Sequence, residues 1–279
     1  MSSMSSMSSM FNPSIKRTTF RLCAVAAGLL ASGVALADVH LDSLPVSKAP
    51  ASTAVKVVPA ATAGTVACPW LDSTMLPHER ADKLVAAMTL TEKLSLVHAA
   101  EPVFLAYFGT AGHVAGIKRL CMPDLLLNDA GAGVADVQAN TTAFPSGIAQ
   151  AASWDIAAQT AMGAGLGAEA RAKGINVMLA PGINIARTPL NGRNFEYAGE
   201  DPFLSGQVGA AIVNGIQSQN IIATVKHFAV NSQEANRMTV SSNVDERTLQ
   251  EIYLPAFENT VERAKPGAVM CSYNKINDV

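Results

Sequence analysis

From Trp70 onward, short apolar runs alternate with stretches whose apolar positions recur at helical spacing. That spacing predicts helices over Pro77–Met88 (PHERADKLVAAM) and Thr91–Ala100 (TEKLSLVHAA), with Thr89 or Thr91 as N-cap of the second. Pro123–Leu127 (PDLLL) reads as a short buried strand that stops at Asn128-Asp129. An amphipathic helix follows over Ser153–Lys173, opened by Ser153 and closed by Gly174. Ile175–Ala180 (INVMLA) reads as a strand ending in Pro181-Gly182. Asp201-Pro202 supplies an N-cap and a proline at the first helical position, and the helix runs to about Gln217. Ile221–Val225 (IIATV) is the next strand, stopping at Lys226-His227. Asp245 opens a helix to about Arg263, bent at Pro255, and Ala268–Cys271 (AVMC) is a last strand before Ser272-Tyr273.

Apolar strands separated by helices imply parallel pairing, because parallel neighbours need a crossover. A (β/α) barrel and an open doubly wound sheet both satisfy this. The open sheet calls for a G-x-G-x-x-G turn after its first strand, and Asn128–Gly133 (NDAGAG) matches that only in part. Polar residues instead follow every strand at its C-terminal end, where a barrel builds its active site. The chain therefore reads as α/β, a TIM-like (β/α) barrel. With four or five strands against the eight of a closed barrel, it is expected to be incomplete at the C-terminus.

The segment before Trp70 differs in kind. Met1–Met10 (MSSMSSMSSM) has a three-residue period and no apolar face. Lys16, Arg17 and Arg21, an apolar run over Leu22–Leu36 and the Ala35-Leu36-Ala37 site together describe a signal peptide, residues 1–37, cut after Ala37. At about 15 residues the run is short of the roughly 20 that span a bilayer, and the absence of a Cys directly after it argues against a lipoprotein. The mature chain is thus expected to be exported, periplasmic or secreted, with no membrane partner after cleavage. Residues 38–66, rich in Ala, Pro, Thr, Ser and Val, read as a low-complexity linker, which leaves 67–279 as the barrel domain.

Composition supports a packed domain: 49% of residues are hydrophobic and 15% charged. The net charge is −2, and without the leader it is 17 − 22 = −5, which argues against a nucleic-acid partner. Cys23 leaves with the leader, so Cys68, Cys121 and Cys271 remain, an odd number in a compartment that permits disulfides. At least one thiol stays unpaired within the chain. Cys68–Cys121 is one available pairing, which the sequence leaves open, and the spacing matches no metal site.

Chemistry-bearing residues collect at four strand ends. Asp129 can accept two hydroxyl hydrogens, as a sugar diol would offer, although Asn-Asp-Ala-Gly is also ordinary turn chemistry. The connection Pro181–Pro202 holds Arg187, Arg193, Glu196, Glu200 and Asp201, and connections this long are usually functional or disordered. Arg193 is a rigid fork of donors suited to hydroxyls or carboxylates, and equally to a loop salt bridge with Glu196 or Glu200. Arg187 reads as the structural arginine. Lys226 and His227 are adjacent and would point to opposite faces of a regular strand. Both reach one site only if the backbone leaves the pleat, for instance through a non-proline cis peptide. Tyr273 offers a flat face and a hydroxyl, or an ordinary core ring.

Leu126–Val134 (LLNDAGAGV), the block GRNFEYAGEDP within Leu179–Pro202, Thr224–Glu234 (TVKHFAVNSQE), Val244–Phe257 (VDERTLQEIYLPAF) and Ala268–Asn277 (AVMCSYNKIN) occur in that order. Together they resemble the N-terminal barrel domain of the β-glucosidase family of retaining glycoside hydrolases, family three. The resemblance spans about Trp70 to Asn277. It implies an enzyme that hydrolyses terminal β-D-glucosyl residues of a β-glucoside or oligosaccharide. It also implies a substrate-binding set of Asp129, Arg193, Lys226, His227 and Tyr273, with Met270 as a wall of the same subsite. No cofactor and no metal are implied.

The usual D-G-P of the first motif is D-A-G here, which keeps the carboxylate. The family's nucleophile, an Asp in an S-D-W-type motif, and its acid/base are not matched; Asp278 follows Lys-Ile-Asn and reads as a turn residue. No catalytic carboxylate is therefore expected within this chain, and the fragment is expected to be inactive alone. The β-N-acetylhexosaminidase branch, with its K-H-F-P-G-H-G, is not matched by Lys226-His227-Phe228-Ala229-Val230-Asn231. A β-xylosidase of the same family and a non-catalytic sugar-binding protein remain as alternatives.

Overall fold

The computed structural model describes residues 68–98, 109–136 and 138–279. The expected leader and linker lie outside the described residues, as do Ala99 and Ala100; the helix expected over Thr91–Ala100 is shorter, ending at Ser95 with Leu96 as its C-cap. Helices α1 (Pro77–Ala87) and α2 (Leu90–Ser95) come first, and Thr89 caps α2 through its hydroxyl, which accepts the Glu92 N–H at 3.3 Å. The Glu92 carboxylate reaches back to the Thr89 N–H at 2.8 Å, completing a capping box.

One sheet organises the domain. Its strands are β1 (Gly112–Val114), β2 (Leu125–Asp129), β3 (Val177–Leu179), β4 (Ile222–Phe228) and β6 (Ala268–Cys271), hydrogen-bonded in the order β1-β2-β3-β4-β6. From β2 to β6 every pairing is parallel, as the alternation of strands and helices implies. β1 is antiparallel to β2 and has no apolar run to announce it. The result is a mixed sheet curled into half a barrel with helices outside, the incomplete (β/α) barrel expected. Two short strands, β5 (Ser241–Ser242) and β7 (Lys275–Ile276), pair in a separate sheet.

Two strand ends run on further than expected. β2 includes Asn128 and Asp129, and β4 includes Lys226 and His227, so the polar residues belong to the strands. The β4–β6 register shifts between Val225 and Phe228, at the position of the Lys226-His227 pair. The α helices correct one cap: α4 (Ile156–Ala172) follows α3 (Gly147–Ala151) and is capped by Asp155, which accepts the Ala158 N–H at 2.9 Å. Ser153, two residues earlier, uses its hydroxyl to accept the Asp155 N–H instead. Asp201 caps α5 (Pro202–Gln217) as expected. Asp245 opens α6 (Glu246–Thr248), which passes through a π turn at Leu249–Tyr253 into α7 (Pro255–Ala264), so the helix deforms where Pro255 has no N–H to give.

The core lies between sheet and helices, with Met178, Ala223 and Val225 from the strands sealed against Val213, Ile216 and Ala256 from α5 and α7. Helix α5 is sandwiched between α4 and α7, and glycines let the backbones approach. A Cβ on Gly163 would fall 2.5 Å from the Ile212 carbonyl oxygen, and one on Gly215 would fall 2.2 Å from that of Thr160. A smaller cluster joins Trp70, Met88 and Leu120, where the Trp70 indole N–H donates to the Leu120 carbonyl at 2.8 Å. Beside it a Cys68–Cys121 disulfide closes a separation of 53 residues, which settles the pairing; Cys271 is a free, exposed thiol.

Two outcomes follow for stability. Gly215→Val drives a side chain into the α4 backbone, so urea unfolding should show a loss of ~1–3 kcal/mol or more. Cys68→Ser removes a cross-link over 53 residues, worth about 4 kcal/mol on the chain-entropy account, and should lower the urea midpoint. Reductant should shift the wild-type midpoint and leave that of Cys68→Ser unchanged.

Candidate functional site

The parallel register carries the ends of β2, β3, β4 and β6 to one rim. Asp129, the last residue of β2, is held by the turn that follows: its N–H donates to the Asp136 carboxylate at 2.7 Å and its carbonyl accepts the Ala135 N–H at 3.0 Å. Its side chain is half exposed (52%), whereas that of Lys226 on β4 is only 5% exposed. Lys226 Nζ stands 3.8 Å from Asp129 Oδ1 and 3.7 Å from Glu196 Oε1. Glu196 ends a 3₁₀ turn, Asn194–Glu196, in the long connection after β3. Its carboxylate accepts both Arg193 Nε at 2.9 Å and Arg193 Nη2 at 2.8 Å.

Asp129, Lys226, Glu196 and Arg193 thus form a row of alternating charge. Both readings of Arg193 hold together: it makes the loop salt bridge to Glu196, and that bridge is part of the site. Burial works against the Arg193 charge, but the Glu196 carboxylate outweighs it and holds the guanidinium above its ordinary value. Burial pushes the Lys226 ammonium below the usual lysine range, with Glu196 and Asp129 acting in the opposite sense.

The Lys226-His227 bond is cis, as is Phe228-Ala229, so the backbone leaves the pleat here. Beyond β3 the chain continues alongside β4. Ile183 N–H donates to the Lys226 carbonyl at 2.9 Å, and Lys226 N–H donates to that of Pro181 at 3.0 Å. This lays Asn184 beside His227. The Asn184 side chain accepts the His227 backbone N–H at 2.7 Å and donates to the His227 carbonyl at 2.8 Å. The imidazole is buried, with Nδ1 3.2 Å from Asn184 Oδ1 and 3.4 Å from Tyr197 Oη. Burial first, then the nearby positive charges of Arg193, Lys226 and Arg237, push His227 down to about 3, so the ring is neutral near pH 7.

Tyr273, just past β6, presents a half-exposed ring, and the Arg237 guanidinium lies 5.1 Å from its centroid. Arg237 is itself held by Glu234, Nη1 to Oε2 at 2.8 Å. Of the expected residues, Asp129 and Lys226 make a direct charge contact, and Arg193 joins them through Glu196. His227 follows Lys226 on the strand, and Tyr273 lies against Arg237, whose charge acts on His227. Met270 stands half-buried on β6 and joins by strand adjacency to β4 alone. Arg187 is exposed.

Sequence reasoning did not single out Asn184, Tyr197, Glu234 or Arg237, and saw Glu196 only as a salt-bridge partner. Asn184 had one signal, an amide inside the otherwise apolar run Ile183-Asn184-Ile185. Among the described residues no group of His, Cys, Asp and Glu side chains is arranged to hold a metal ion.

The description Glycosyl hydrolase family 3 N terminal domain matches residues 73–279 of this chain. The chain belongs to glycosyl hydrolase family 3. It is 42% identical over 206 residues to thermostable beta-glucosidase B of Acetivibrio thermocellus, covering 70% of this chain and 26% of that protein. It is 44% identical over 201 residues to a beta-glucosidase of Rhizobium radiobacter, covering 70% and 24%. Among solved structures, beta-glucosidase 3B of Thermotoga neapolitana in complex with glucose superposes with a TM-score of 0.67 at 41% identity, covering 70% of this chain and 29% of that one. DesR, a beta-glucosidase from Streptomyces venezuelae in complex with D-glucose, gives a TM-score of 0.67 at 40% identity, with 71% and 25% covered. The chain spans about a quarter of the length of the curated relatives it matches.

The neutral, buried histidine gives this family 3 domain a distinctive acid response. Between His227's ordinary value of 6.5 and about 3, the unfolded chain binds a proton that the folded chain refuses. Stability is therefore unaffected by this group above 6.5 and falls as the pH is lowered towards 3, with a slope of up to about 1.4 kcal/mol per pH unit. Urea titrations at neutral and mildly acidic pH should show this slope in the wild type. The slope should be shallower in His227→Asn, and equal slopes would contradict the assignment.

Proposed function

We propose that this chain builds the sugar-binding side of the active site of an exported β-glucosidase. That enzyme would release terminal β-D-glucosyl residues with retention of configuration, the leader over residues 1–37 directing its export. The row Asp129–Lys226–Glu196–Arg193 carries this reading. A pyranose offers neighbouring hydroxyls, each able to donate and to accept, and the row offers fixed acceptors and donors in alternation. Asp129 is the member open to solvent, so its second oxygen is free to take hydroxyl hydrogens; Lys226 and Arg193 supply charged donors. The Tyr273 ring, braced by Arg237, provides an aromatic face for the sugar, and Met270 an apolar wall. The glucose complexes of the two solved relatives support the same reading.

Retaining hydrolysis needs a nucleophilic carboxylate and an acid/base about 5–5.5 Å apart. Glu196 is unsuited to either role, since Arg193 takes both of its oxygens and Lys226 approaches the same group. Asp129 is committed to Lys226 and, in this reading, to substrate hydroxyls. We therefore assign both catalytic carboxyl groups to polypeptide outside this chain, so that residues 1–279 bind the glucosyl group without cleaving it.

Calorimetric titration of the 279-residue chain with D-glucose and D-xylose tests the proposal. Glucose is expected to bind, and Asp129→Ala to weaken it about 10-fold or more, as expected for a lost charge-assisted hydrogen bond. Tighter binding of xylose would favour a xylosidase. Binding of neither sugar would overturn the sugar reading, and steady turnover of an aryl β-glucoside by the purified chain would overturn the half-site assignment.

A further inference from the structure

Asn184 grips both backbone polar groups of His227, and that double contact dictates which end of the amide is which. Its Oδ1 accepts the His227 N–H at 2.7 Å and its Nδ2 donates to the His227 carbonyl at 2.8 Å. Turned over, the amide would set hydrogens against hydrogen and oxygen against oxygen. The same Oδ1 lies 3.2 Å from His227 Nδ1. An amide oxygen has lone pairs and no hydrogen, so Nδ1 is the ring nitrogen that bears the proton. Tyr197 Oη, 3.4 Å from Nδ1, is consistent with this, since a hydroxyl oxygen accepts as readily as it donates. A neutral imidazole has a single N–H, which leaves a lone pair on Nε2. Among the described residues Nε2 has no hydrogen-bond partner, and it is not among the unpaired atoms sealed from solvent.

We propose that Asn184 is a positioning residue that locks His227 in the Nδ1-protonated tautomer, so that the imidazole faces the site as a hydrogen-bond acceptor. The consequence for recognition rests on the sugar reading above. Beside the obligate donors Lys226 and Arg193, His227 would require its ligand hydroxyl to donate. A hydroxyl shared by Lys226 and His227 would then accept from Nζ and give its hydrogen to Nε2, a direction that an ether or a fluorine cannot reproduce.

The tautomer is readable without any ligand. Long-range ¹H–¹⁵N correlation through the ring protons of the ¹⁵N-labelled chain separates protonated from bare imidazole nitrogens, and His227→Gln identifies the His227 signals by their loss. Near neutral pH, Nδ1 is expected at the protonated position and Nε2 at the bare one; the reverse pattern, or averaged shifts on both, overturns the proposal. Asn184→Ala should move the ring towards the Nε2-protonated form and weaken glucose about 10-fold. Asn184→Asp, which keeps an acceptor oxygen, should retain the Nδ1 signature. A purely structural Asn184 would leave the tautomer unchanged in the Ala variant. If that variant does not fold, the wild-type spectrum still decides. A wild-type chain with the expected tautomer that binds no glucose would overturn the sugar reading while leaving the role of Asn184 standing.

Discussion

A buried ammonium is costly unless it is paired, and Lys226 sets the terms for this half-barrel. Its side chain is 5% exposed and has two carboxylates within 4 Å, one from the end of β2 and one from the connection after β3. The charge thereby ties together three stretches of chain that are far apart in sequence. Glu196 could not serve Lys226 if it were free to swing into solvent; Arg193, three residues earlier in the same turn, fixes it by a two-point contact. The ion pairs are therefore a condition of the local fold as well as its chemistry. Removing Glu196 would leave the Arg193 guanidinium without its carboxylate and Lys226 with Asp129 alone.

The scaffold makes such a row affordable by delivering its parts in register. Asp129 lies opposite Leu179 across the β2–β3 pair, and the chain that leaves β3 stays hydrogen-bonded to β4 through Ile183. Behind the sheet, the close passage of α4 over α5 at Gly163 and Gly215 keeps the crossovers tight, so the strands they connect stay neighbours. A bulkier residue at either glycine would displace a backbone whose far end carries a site residue. Packing on one side of the sheet and chemistry on its rim are linked through these two helices.

Much of this was legible in the sequence because the signals were local. Polar pairs that terminate apolar runs marked Asp129 and Lys226-His227, and Asp201-Pro202 marked the start of α5 to the residue. Even the break in the pleat at Lys226-His227 was implied, since two adjacent side chains cannot otherwise share a site. What escaped was non-local or degenerate. Ser153 and Asp155 are both good caps two residues apart, and only the helix's own register selects between them. β1 is three residues long and gains its identity from pairing with β2, not from its composition. Asn184 is polar in an apolar run, and its function becomes visible only when β4 brings His227 alongside. Glu234 and Arg237 lie in a loop without periodicity, where charge alone says nothing about partners.

The charge balance of the site also bears on what it can hold. Asp129 and Glu196 offset Lys226 and Arg193, Glu234 offsets Arg237, and His227 is held neutral by burial together with the surrounding cations. A site built to capture a phosphate or a carboxylate would leave uncompensated cations to attract it. Here the positive groups are already committed, and what they retain is direction: donors and acceptors fixed in space before a ligand arrives. Such a surface gains little from the charge of a ligand and much from the pattern of its hydroxyls, because each hydroxyl must replace water at a group that cannot turn to meet it. For the sugar proposed above, an uncharged ring that is rigid and dense in hydroxyls, that arrangement loses little on binding.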